Sequence, residues 1–67
     1  MIEVVVNGLA KEFIDGTTLN DMIVSLEIAD KVMASAVNMN IVKKENWNEY
    51  VLQNHDKIEL LEFVGGG

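Results

Sequence analysis

The chain has 67 residues, so it makes one domain and lacks the bulk to enclose a catalytic cavity; a chain of this size buries roughly 60% of its unfolded surface. A net charge of −6, with five lysines and no arginine, excludes a basic footprint for nucleic acid or anionic lipid. The absence of cysteine excludes disulfides, thiolate metal sites and a cysteine nucleophile, and a hydrophobic fraction of 49% excludes a disordered chain.

Ile2 to Asn7 is β-branched and apolar, which predicts a strand. Asn7-Gly8 marks a tight turn, because both residues accept positive φ, and Leu9 to Ile14 returns as a second strand. Asp15-Gly16 ends it. Thr18 and Asp21 stand at capping-box spacing before Leu19, Met22, Ile23 and Leu26, an apolar stripe that predicts a helix fading near Ile28 to Asp30. Met33 to Val37 predicts a third strand, Asn38-Met39-Asn40 a turn, and Ile41-Val42 a short fourth strand. Lys43 to Tyr50 has room for a single helical turn, Gln53 to Lys57 is a loop, and Ile58 to Val64 is the last strand.

This β-β-α-β-β-β order predicts an α+β domain, a mixed sheet with one main helix on one face. It spans residues 1–64, with a flexible glycine tail over 65–67. Alternation turns Ile2, Val4, Val6, Ile58 and Leu60 towards the helix and Val5, Leu61 and Phe63 onto the open face. For the second strand, Leu9/Lys11/Phe13 and Ala10/Glu12/Ile14 fit the inner face equally poorly.

Side-chain chemistry is sparse. His55, the only histidine, lacks companions at ligand or general-base spacing and reads as a loop residue. Trp47 and Tyr50 read as cover for a core edge. Met22, Met33 and Met39 read as gap fillers or surface residues. No Ser/His/Asp set, phosphate loop or catalytic carboxylate pair is present, so the chain is not expected to be an enzyme. No run reaches the ~20 apolar residues that span a bilayer, and no signal peptide is recognisable. A cytoplasmic home is expected.

The chemistry concentrates at Gly65-Gly66-Gly67. Glycine lacks a Cβ, so this end is thin enough for a narrow channel. Its carboxylate is inert until another protein activates it. Leu61 and Phe63, with Val5, form a candidate partner patch on the open sheet face. Asp56, Glu59 and Glu62 are acids that either pair with a basic partner or form a solvated rim; Glu62, near the tail, is the best placed to pair.

The Asn7-Gly8 hairpin, Gly16-Thr17-Thr18-Leu19, Ala36-Val37-Asn38 with Ile41-Val42, Glu45-Asn46-Trp47, Asp56-Lys57-Ile58 and the glycine end occur in one ordered series. Over essentially its whole length the chain resembles the ThiS family, the sulfur carriers of thiamine biosynthesis. The resemblance implies a ubiquitin-like β-grasp fold and a carrier that other enzymes modify. An E1-like adenylyltransferase (ThiF-like) would adenylate Gly67 with ATP and Mg, no cofactor being held by the carrier itself. A sulfur donor system would supply the thiocarboxylate sulfur, and thiazole synthase (ThiG-like) would accept it. The family ends in diglycine; here Gly65 precedes Gly66 and Gly67, which leaves Val64 as the last docking contact before the tail. The carrier is expected to work as a monomer. A carrier for another pathway, like the small subunit of molybdopterin synthase, and a ubiquitin-like interaction domain with an idle tail stay open as alternatives.

Overall fold

The computed structural model describes residues 1–62. Phe63, Val64 and the glycines Gly65, Gly66 and Gly67, which carry part of the expected partner surface and the tail, lie outside the described residues. The strands β1 (Ile2–Val6), β2 (Leu9–Phe13), β3 (Val32–Val37), β4 (Asn40–Val42) and β5 (Lys57–Glu62) form one sheet in the order β2-β1-β5-β3-β4. A helix, α1 (Leu19–Ser25), follows β2 and buries Leu19, Met22 and Ile23. This is the mixed sheet with one helix that the element order predicts.

The first hairpin forms as its turn residues require. Asn7 (φ 48°) and Gly8 (φ 85°) both take the left-handed conformation, which matches the twist of the flanking strands. The pairing runs from Ile2↔Phe13 to Val6↔Leu9. Lys11 and Phe13 lie half-buried on the helix side, opposite Val4 and Ile2, while Ala10 and Glu12 face out. That settles the ambiguous second strand. β1 then pairs in parallel with β5 through Val5↔Lys57 and Val6↔Ile58, and β5 pairs antiparallel with β3. Val4, Val6, Val37, Ile58 and Leu60 meet the helix residues in a single core.

The capping box is present. Thr18 Oγ1 accepts the Asp21 N–H at 3.0 Å and Asp21 Oδ2 accepts the Thr18 N–H at 3.2 Å. The helix is shorter than its apolar stripe suggests. It stops at Ser25, Leu26 caps it, and Glu27 enters the left-handed region at φ 61°. This reversal brings Ile28 and Ala29 against the core as irregular chain. β3 begins one residue early, at Val32, and carries a bulge between Val32 and Ala34. The extra residue, Met33, is thrown into solvent, so Val32, Ser35 and Val37 can all be buried.

Trp47 is not an edge cover. It is 1% exposed and among the largest fully buried side chains. A 3₁₀ turn at Lys44–Asn46 folds the segment under the sheet, and the indole N–H donates to the Val42 carbonyl at 2.9 Å. The Trp47 carbonyl in turn accepts the Asn20 N–H at 3.1 Å, and the Tyr50 carbonyl accepts the Leu19 N–H at 2.8 Å. These bonds satisfy helix N-terminal donors that α1 cannot satisfy itself. Tyr50 is half-buried against the core, at the edge position expected of it.

Candidate functional site

The side of the sheet away from α1 is built by alternation. Ile58 and Leu60 are buried under the helix, so Lys57, Glu59 and Leu61 face outwards. Leu61 is 62% exposed and pairs with Ala34; Glu59 pairs with Ala36; Ala36 pairs on its other side with Ile41, which is 73% exposed. Two alanines thus form a low floor between two large aliphatic side chains. The Asn7-Gly8 turn closes one end, giving an open groove of about 460 Å³. Exposed apolar surface of this kind on a small domain commonly marks a docking site. Met39, at the tip of the β3–β4 hairpin, is 93% exposed at φ 72°, a conformation that disfavours its side chain.

Among the described residues, the expected partner residues Val5, Leu61 and Glu62 do not make one patch. Leu61 lines the groove. Val5 shares its face but sits half-buried beside Lys57, four residues back along β5, roughly 13 Å from Leu61 at ~3.3 Å per residue. Glu62 is exposed but follows Leu61 in the alternation, which places it on the helix side of the sheet opposite Val32. Phe63, Val64 and the three glycines lie outside the described residues.

Of the three acids weighed near the last strand, Asp56 is neither a partner contact nor a solvated rim. It is buried, accepting the Gln53 N–H at 2.8 Å and an Asn38 Nδ2–H at 2.9 Å. Asn38 Oδ1 also accepts the Lys57 N–H at 2.9 Å. The pair ties the β3–β4 turn to the loop before β5, and it holds Asn38 at its φ of 50°. Burial, then the Asp56 charge, pushes the Tyr50 phenol above its ordinary value of 10.0. Glu59 stays exposed at the groove margin. His55 is an exposed loop residue at φ 72°. Among the described residues no group of three or more His, Cys, Asp or Glu side chains could hold a metal ion, and no described helix is long and apolar enough to cross a membrane.

Sequence reasoning missed Ile41, Ala34 and Ala36 as groove residues. The signal was available in part: Ala34 and Ala36 alternate with Ser35 and Val37, and a run of small residues on one strand face leaves a depression. The partnership with Leu61 depends on the β3·β5 register, which the sequence does not display.

A mixed five-stranded sheet with β1 and β5 parallel at its centre, and a single helix across one face, defines a small ubiquitin-like β-grasp domain. The crystal structure of a thiamine biosynthesis protein (ThiS) from Geobacter metallireducens shares this fold, with a TM-score of 0.80 at 21% identity, covering 98% of this chain and 100% of that one. Residues 4–67 match the ThiS family, and the chain belongs to that family. A sulfur carrier protein ThiS from Bacillus subtilis is 36% identical over 53 residues, 79% of this chain and 80% of its own. A thiazole synthase from Paramagnetospirillum magneticum is 27% identical over 66 residues, 98% of this chain but 20% of that protein.

Proposed function

We propose that this protein is a sulfur carrier of thiamine biosynthesis and that its reactive group is the backbone carboxylate of Gly67. A carboxylate resists nucleophilic attack because it lacks a good leaving group. An E1-like adenylyltransferase supplies one by transferring the AMP moiety of ATP to Gly67, with Mg²⁺ and pyrophosphate release on the enzyme's side. Sulfide-level sulfur from a donor system attacks the acyl carbon, AMP departs, and a thiocarboxylate remains. Thiazole synthase then accepts that sulfur. The carrier contributes no acid, base or metal to these steps; it is a monomeric co-substrate of the cytoplasm that presents its own end.

The observation that carries this reading is family membership over residues 4–67, which includes the glycine end. The relative named as a sulfur carrier supports the chemistry. The thiazole synthase that contains a segment similar to nearly this whole chain supports the acceptor. The groove around Leu61 and Ile41 supports docking: it lies beside the last described strand, so a partner seated there has the following residues within reach. Fully extended at ~3.3–3.6 Å per residue, three glycines span on the order of 10 Å, enough to enter a channel in the partner.

Intact-mass measurement tests the proposal. Incubation with the adenylyltransferase, ATP, Mg²⁺ and a sulfur donor yields a form heavier by one oxygen-to-sulfur exchange, and deletion of Gly66-Gly67 abolishes it. Persistence of the unmodified carboxylate alone refutes the carrier chemistry. Capture of the thiocarboxylated protein by a molybdopterin synthase large subunit in place of thiazole synthase reassigns the pathway and leaves the chemistry standing.

A further inference from the structure

We propose that Asn7 is a positioning residue for the modified terminus, an inference that rests on the carrier reading above. β1 pairs with β5 only as far as Val6↔Ile58. At Asn7 (φ 48°) and Gly8 (φ 85°) the backbone turns away into β2, while β5 continues to Glu62. On its other side β5 keeps a full partner, since β3 stays paired out to Val32↔Glu62. On the β1 side the backbone ladder has no strand left to offer at Leu60.

The Asn7 side chain takes that place. Its Oδ1 accepts the Leu60 N–H at 2.8 Å, and its Nδ2 faces the Leu60 carbonyl at 3.4 Å. A carboxamide is chemically a peptide group, so it prolongs the ladder by one more residue of β5. The Asn7 backbone N–H meanwhile donates to the Ile58 carbonyl at 2.9 Å. One residue therefore grips β5 at two successive positions of the ladder. Leu60 is seven residues before Gly67, and Asn7 also lines the groove with Leu61. The clamp links the docking face to the strand from which the reactive end departs.

Two demands meet at position 7, and they can be separated. The turn demands a residue that accepts positive φ, which Asn, Asp and Gly all do. The clamp demands a side-chain acceptor for the Leu60 N–H, which Asp retains and Gly lacks. If Asn7 served the turn alone, Gly would be its equal.

The experiment compares the full-length protein with Asn7→Gly and Asn7→Asp. Leu60 amide hydrogen exchange is followed by NMR, and adenylation by pyrophosphate release with the activating enzyme, ATP and Mg²⁺. Loss of one net hydrogen bond predicts Leu60 exchange about 5–10-fold faster in Asn7→Gly, with a drop in kcat of the same order and KM for the carrier held within about twofold. Asn7→Asp keeps the acceptor for the Leu60 N–H but turns a carboxylate oxygen towards the Leu60 carbonyl that Nδ2 faced, so it falls between the parent and Asn7→Gly in both. Thermal melts establish that each variant is folded at the assay temperature. Unchanged Leu60 exchange in Asn7→Gly overturns the clamp. Faster exchange with undiminished kcat overturns the positioning role and leaves the carrier reading intact. A parent protein that is not adenylated at all fails the carrier reading and takes this proposal with it.

Discussion

Replacing Ser35 with alanine should stabilise the protein. Ser35 lies on β3 between Val42 of β4 and Leu60 of β5, on the helix side of the sheet. It is 1% exposed, and its Oγ has no hydrogen-bond partner. A buried hydroxyl without a partner costs about 1–3 kcal/mol of desolvation. Alanine keeps the Cβ and removes only the oxygen. The void left is on the order of 10 Å³, which at about 24 cal/mol per Å³ opposes the gain by roughly 0.2–0.3 kcal/mol. The net expectation is a gain of about 1 kcal/mol, or a melting temperature about 4–8 °C higher for a domain of this size. Far-UV circular dichroism melts and urea titration at 25 °C measure it. Ser25→Ala is the control: Ser25 is exposed, its Oγ donates to the Met22 carbonyl at 2.7 Å, and its removal should shift stability by less than about 0.5 kcal/mol. A Ser35→Ala protein that melts below the parent would refute the reasoning, because it would show that the hydroxyl contributes a bond and not a penalty.

Trp47→Ala removes the largest core side chain and orphans the Val42 carbonyl; a loss of about 3–5 kcal/mol approaches the whole stability of so small a domain, and the variant should show no cooperative melt. Met39→Gly relieves a left-handed conformation at a fully exposed side chain and should gain about 1 kcal/mol in urea titration. Leu61→Glu places a charge in the groove; the melting temperature should hold within a few degrees while kcat/KM for adenylation falls about tenfold or more, as for truncation of an interface anchor. The single tyrosine permits a direct titration: absorbance of the ionised phenol should give a midpoint above 10.0 in the folded protein. Because the folded state holds that proton more tightly than the unfolded chain, the stability tied to it is fully present below pH 10 and declines as pH rises through the folded midpoint; Tyr50→Phe should flatten that decline.

What the sequence made legible is what is local. The Asn7-Gly8 hairpin, the Thr18/Asp21 capping box and the helix stripe Leu19, Met22, Ile23 and Leu26 depend on residues within a few positions of one another; the first two are present, and the stripe is present up to Leu26, which caps the helix instead of continuing it. The inward set Ile2, Val4, Val6, Ile58 and Leu60 follows from alternation alone; the last four are buried, and Ile2 packs half-buried against the same core. What stayed hidden is long-range. The Asp56 carboxylate looks like any surface acid until the turn at Asn38 arrives beside it. Trp47 looks peripheral in a polar stretch, because nothing local announces that Val42 will offer a carbonyl to its indole. Met33 breaks the alternation of its strand through a bulge. The early end of α1 rests on Glu27 accepting a conformation usually left to glycine, so no glycine marked the stop. For the groove, Leu61 could be named from its strand, but Ile41 and the alanine floor required the register of two further strands.

The two strands at the centre of the sheet, β1 and β5, come from opposite ends of the described chain. A ribosome makes β1 well before β5. Until residues 57–62 emerge, β1 can pair only with β2, and an isolated hairpin is marginal at best in water. Closure of the sheet therefore waits for β5, which both β1 and β3 need as a partner. Without β5 there is no groove, because Glu59, Leu60 and Leu61 line it. The topology thus makes the groove a property of the closed sheet and of no smaller piece of it.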